Sequence, residues 1–135
     1  MTRPYETEIL NVQDAVFQRL ANDPGLSSAV TGIFDKVPEN EQFPYVVFGR
    51  CYGTPYRTKS TDGERIELTL DIWSGDNGKK ETIDLVNLIG AALEEDLSLE
   101  HADIFSQEIK SLEVLEEIND LFHGTLVYEF ILDKE

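Results

Sequence analysis

An α+β fold of two layers, a mostly antiparallel sheet of four or five strands with two helices on one face, is what this sequence predicts. Three observations carry it. Residues 64–73 place Ile66, Leu68, Leu70 and Ile72 at every even position and Arg65, Glu67, Thr69 and Asp71 at the odd ones. That period of two marks a strand with one dry and one wet face. A wet face argues against a parallel strand buried on both sides, so the sheet should be antiparallel and covered on its dry face alone. Two amphipathic stretches, residues 7–21 and 79–95, supply the cover, and two further apolar-alternating stretches supply more strands.

The first helix is read from Ile9, Val12, Val16 and Leu20, with Ala15 beside them, recurring at steps of three and four. Asn22, Asp23, Pro24 and Gly25 end it, because proline lacks a backbone donor and glycine tolerates a turn. Residues 26–30 can add a helical turn, and Gly32, Ile33 and Phe34 form a brief strand or an extended link. Residues 43–49, Phe-Pro-Tyr-Val-Val-Phe-Gly, are rich in β-branched and aromatic side chains, with Pro44 expected at the strand's first residue or on an edge.

Residues 50–63 then hold Arg50, Tyr52, Gly53, Pro55, Tyr56, Arg57 and Lys59. They form either a long functional loop, or a protruding hairpin if their flanks extend the neighbouring strands. After Trp73, residues 74–78 are dense in turn formers and lead into the second helix, whose expected stripe is Ile83, Val86, Ile89 and Leu93, widened by Leu85, Leu88 and Ala92. Gly90 weakens a helix by about 1 kcal/mol relative to alanine. A close approach to the first helix is the expected reason for it.

Residues 97–106 read as a connector and 107–115 as a less regular strand. Residues 116–120 read as an acidic turn with Ile118 buried. In the last strand, residues 124–132, Leu126, Tyr128, Phe130 and Leu132 face one way while Val127 and Ile131 face the other. Such a strand is central in the sheet or covered by another subunit.

At 135 residues the chain makes one domain, residues 1–135, large enough to fold without disulfides or a metal. The single cysteine suits a reducing compartment. No apolar run approaches the ~20 residues of a membrane span, and the opening residues lack the apolar core of a signal peptide. Synthesis in the cytoplasm, away from membranes, is the expectation.

Charge is uneven. With 27 acidic against 11 basic side chains the net charge is −16, of which residues 94–135 carry −11, while residues 50–65 form a basic island of +2. A phosphate-gripping face needs concentrated lysine and arginine, so broad duplex binding is disfavoured. The acids read as a solvating exterior or as a surface that avoids or mimics nucleic acid.

Catalytic, metal and cofactor sites are not expected. His101 and His123, in polar connectors, have carboxylates nearby but fit no ligand pattern and read as surface histidines. No nucleophile elbow or phosphate loop occurs. Cys51 stands beside Arg50, which can lower a thiol pKa, but it reads as a plain strand-end cysteine. The mixture of aromatic and basic side chains from Arg50 to Arg65 reads as a protein-interaction surface, since tyrosine and arginine commonly anchor interfaces. An acidic body with one basic arm can associate head to tail and close a ring.

In its order of features the chain resembles the tail-completion, or tail-terminator, proteins of long-tailed bacteriophages, a small head-tail joining family. The matching features are the helix ending in Asn22-Asp23-Pro24-Gly25, then Gly32-Ile33-Phe34, then residues 43–49. The alternating strand closing in Asp71-Ile72-Trp73-Ser74, a helix after a glycine turn and a last strand opened by Gly124 complete them. The resemblance implies a non-enzymatic virion protein at the head-proximal end of the tail, without cofactors. It would form a ring, expected to be a hexamer, that stops tube growth and contacts the tail tube protein and the head-tail connector protein. DNA would pass through its lumen. Arg50, Tyr52, Tyr56, Arg57 and Lys59 are the expected subunit or tube contacts, and Glu113, Glu116 and Glu117 the expected lumen acids. Two other readings remain open: an acidic DNA-mimic inhibitor of a nucleic-acid-binding enzyme, and a neighbouring connector ring component.

Overall fold

The computed structural model describes residues 4–58, 61–75 and 78–134. Its elements in chain order are α1 (Ile9–Ala21), α2 (Pro24–Ser27), β1 (Ile33–Phe34), β2 (Tyr45–Arg57), β3 (Asp62–Ser74), α3 (Lys80–Ala92), β4 (Ala102–Glu116) and β5 (Phe122–Lys134). The strands form one sheet in the order β1-β2-β3-β5-β4. The short β1 runs parallel to β2, and every other pairing is antiparallel.

The alternating strand is the middle of this sheet. Ile66, Leu68, Leu70 and Ile72 of β3 are fully buried, in one cluster with Val12, Val16 and Leu20 of α1, Leu85 and Ile89 of α3, and Leu126, Phe130 and Leu132 of β5. Helices α1 and α3 therefore lie side by side on one face, and the other face is free of helices. Burying these side chains is the main favourable term in folding, at roughly 1.5–3 kcal/mol for each large aliphatic group.

Several expectations change in the structure. Residues 50–57 and 62–63 belong to an extended hairpin: β2 and β3 stay paired from Tyr45↔Trp73 out to Arg57↔Asp62, with a bulge between Phe48 and Cys51. Thr58 and Thr61 close the hairpin, Thr58 N donating to Thr61 O at 2.8 Å. The final strand is interior, between β3 and β4, the first of its two expected settings.

The connector shortens. β4 begins at Ala102 and continues for 15 residues, paired to β5 through two bulges, between Ile104 and Ser106 and between Ile109 and Ser111, which break its alternation. In α3 the buried set is Thr82, Leu85, Val86 and Ile89. Ile83 is 44% exposed, the helix having rotated toward Leu85. Gly90 makes no close approach, since a Cβ there would meet nothing within 4 Å. The close approach is at Gly124, where a Cβ would come within 2.9 Å of Thr82 Cγ2, letting α3 settle on β5. Ile118 is exposed in the β4–β5 turn, where Asn119 and Asp120 take positive φ and no helix covers them.

Candidate assembly surface

The β2–β3 hairpin carries the residues expected to make contacts, and register assigns their faces. Cross-strand partners share a face, so Tyr52, opposite Glu67, points to the helix-free side, while Cys51, opposite Leu68, points to the helices. The Arg50 guanidinium lies 5.0 Å from the Tyr52 ring centroid, stacked over it. Together with Glu67, Thr69 and Val127 these two line a shallow groove on the open face. Tyr52 is 47% exposed.

Tyr56 and Arg57 are occupied within the protomer. The Tyr56 hydroxyl donates to the carbonyl of Leu132 at 3.0 Å, and its ring covers Gly63, where a Cβ would collide with it. Burial, reinforced by the Asp133 carboxylate, raises the Tyr56 pKa. Arg57 pairs with Asp62 at 3.0 Å and stacks 5.0 Å from the Tyr5 ring. Lys59 lies outside the described residues. Tyr56, 39% exposed, and Arg57 nonetheless stay at the surface, while Arg50 and Tyr52 line the open-face groove.

The expected lumen acids also separate. Glu113 is exposed on the open face of β4, opposite Thr125. Glu116 accepts from the Asp120 backbone N–H at 3.3 Å. Glu117 is bonded to His123 Nδ1 at 2.9 Å.

His123 is not a connector residue. It lies in β5, its ring stacked on Trp73 at 3.9 Å between centroids and 9° between planes. Its Nε2 faces Asp71 Oδ1 at 2.7 Å. His101 is exposed beside Glu100. Among the described residues no group of three or more His, Cys, Asp or Glu side chains is placed to hold a metal ion. Cys51 is not at a strand end but inside β2, with its Sγ donating to Gln13 Oε1 at 3.4 Å. Burial, with Asp35 adding to it, pushes the thiol pKa up. Arg50 points to the opposite face and does not activate it.

A second cluster was not anticipated. Glu64, 1% exposed, accepts from Thr7 Oγ1 at 2.6 Å and from the Glu8 backbone N–H at 2.7 Å. Lys134 Nζ lies 3.8 Å from Glu64 Oε1 and 3.9 Å from the Tyr5 ring centroid, and it also donates to the Glu6 carbonyl. Burial and the Glu64 carboxylate raise the Tyr5 pKa. The signal was in the sequence: Glu64 is an even-numbered residue, in phase with Ile66 and Leu68.

The family model for tail completion protein gp17 matches residues 14–133. The chain belongs to the tail completion gp17 family. Tail completion protein gp17 of Bacillus phage SPP1 is 31% identical over 64 residues, 47% of this chain and 48% of that protein. The alignment thus spans about half the length of that curated relative. Among solved structures, a chain from the virion of a native gene transfer agent (GTA) particle superposes with a TM-score of 0.84 at 20% identity, covering 95% of this chain and 99% of that one. The structure of bacteriophage SPP1 gp17 superposes with a TM-score of 0.65 at 23% identity, covering 93% and 91%. At these identities the likeness is one of fold. It extends over nearly the whole gp17-family domain, including the sheet and both long helices.

Proposed function

We propose that this tail completion protein is a structural virion component, not an enzyme, that caps the head-proximal end of a phage tail tube as a hexameric ring. It ends tube growth, joins the tail to the head connector protein, and leaves a lumen through which the genome passes; it is made in the host cytoplasm. The observation that carries this reading is family membership across residues 14–133. The outward Arg50 and Tyr52 on a long hairpin support an interface there. The acids of the β4–β5 hairpin, Glu113, Glu116 and Glu117, support a lumen that repels phosphate, because like charge keeps DNA moving without gripping it.

The test is solution mass across a concentration series, with and without purified tail tube, followed by electron microscopy. Rings, alone or at tube ends, support the proposal. A chain that stays monomeric and ignores the tube overturns it. For the lumen, Glu116→Lys with Glu117→Lys should lower genome delivery by particles whose rings still form; undiminished delivery removes that part.

A further inference from the structure

The sheet has two unpaired edges, and they differ in character. On one side β4 is the last strand, 15 residues long. On the other, β1 covers β2 only at Val46 and Val47, and beyond them no strand among the described residues pairs with its outer edge. An exposed strand of this length presents a row of backbone donors and acceptors that invites another chain.

The side chains along the two edges complement each other. β2 carries Arg50 and Arg57 and no carboxylate, whereas β4 carries Asp103, Glu108, Glu113 and Glu116 against the single Lys110. Register puts Tyr52, Glu108 and Glu113 on the helix-free face, and Arg50, in the β2 bulge, joins them by stacking over Tyr52. On the helix face, Ile109 and Leu112 of β4, opposite Tyr128 and Leu126, are 42% and 55% exposed where the helices stop short of the edge. At the β2 edge, Leu10 of α1 is 65% exposed. It lies one turn from Gln13, which bonds Cys51 of β2 and Asp35, so it faces that edge.

Strand direction also fits. β2, β3, β5 and β4 alternate in direction across the sheet. A second copy placed by rotation about an axis along the strands presents its β2 antiparallel to β4 and continues the alternation.

We infer that the ring is closed by head-to-tail pairing of β4 in one copy with the distal half of β2 in the next. Following the registers across the sheet, Glu108 is level with Tyr52 and Ile109 with Cys51, so Glu108 meets Arg50 and Tyr52 on the open face and Ile109 meets Leu10 on the helix face. The contact is heterologous, so each copy uses two different edges and a closing rotation yields a ring. This inference rests on the ring proposed above.

The test reverses charge on each edge. Arg50→Glu alone, and Glu108→Lys alone, should each keep a monomer of unchanged far-ultraviolet circular dichroism but raise the half-assembly concentration by about tenfold or more. An equimolar mixture of the two should assemble again, because every seam then has opposite charges. Slowed amide exchange within residues 102–110 in the assembled wild type is the second readout. If the wild type forms rings but the variants assemble as readily, or the mixture fails to recover, the edge pairing is wrong and the ring reading stands. If the wild type forms no ring with or without tube, the ring reading fails and the edge pairing with it.

Discussion

Glu64 of β3 ties down the start of α1: its Oε1 accepts the Glu8 backbone N–H at 2.7 Å and its Oε2 accepts from Thr7 Oγ1, which in turn accepts the Ile9 N–H at 3.2 Å. The carboxylate sits at the positive end of α1's dipole, where negative charge is favourable. Because it is buried, removing it leaves the Thr7 hydroxyl and the Glu8 N–H without their acceptor and takes the nearby carboxylate from the Lys134 ammonium, which keeps the Glu6 carbonyl. Glu64→Ala should lower stability by about 3 kcal/mol, read as a lower urea midpoint. Glu64→Gln, which keeps the shape and one acceptor, should lose about half as much.

Gly90 and Gly124 should respond oppositely to alanine. Open space surrounds a Cβ at Gly90, which is helical, so Gly90→Ala should stabilise by about 0.5–1 kcal/mol. Gly124→Ala drives a methyl against Thr82 and should destabilise by about 1–3 kcal/mol. Thermal melts of the two variants check both signs.

Alkaline pH should loosen the core through Tyr128. Burial, with Glu94 adding to it, pushes its phenol from 10.0 up to about 12. A folded pKa above the unfolded one means that the native chain holds the proton more tightly. The contribution is fully present below pH 10 and is lost as pH rises through about 12. Between those values stability should fall by about 1.4 kcal/mol per pH unit from this group. In Tyr128→Phe that slope should be shallower, as measured by urea midpoints at successive pH values.

Tyr52 and Tyr56, four residues apart on one hairpin, should separate assembly from stability. Tyr56→Phe removes the bond to the Leu132 carbonyl and should reduce stability by about 1 kcal/mol with assembly unchanged. Tyr52→Ala should leave the melt within about 0.5 kcal/mol, yet weaken the association measured by solution mass. Equal effects of the two on assembly would contradict the division.

The surface inside β4–β5 was the least legible in the sequence. His123 looked like a surface histidine because its partners, Trp73, Asp71 and Glu117, come from two other segments of the chain. No spacing along the sequence reports a stack between residues 50 apart. Tyr56 and Arg57 looked like outward anchors for the same reason, since the Leu132 carbonyl and the Tyr5 ring that occupy them are contributed by the chain's two ends.

What the sequence alone determined is the layer plan. Side-chain period is a local property of the backbone, so the two-residue rhythm of β3 and the three-and-four rhythm of α1 named the strand, the helix and their buried faces. The family likeness was carried by the same local features, in order. What only the tertiary structure decided is which side chains remain free. Edge positions, the tie from Glu64 to the start of α1, and the exposure of Ile83 and Ile118 depend on which segments meet. Those meetings are set by the packing of the whole sheet against α1 and α3, which no single stretch of the chain contains.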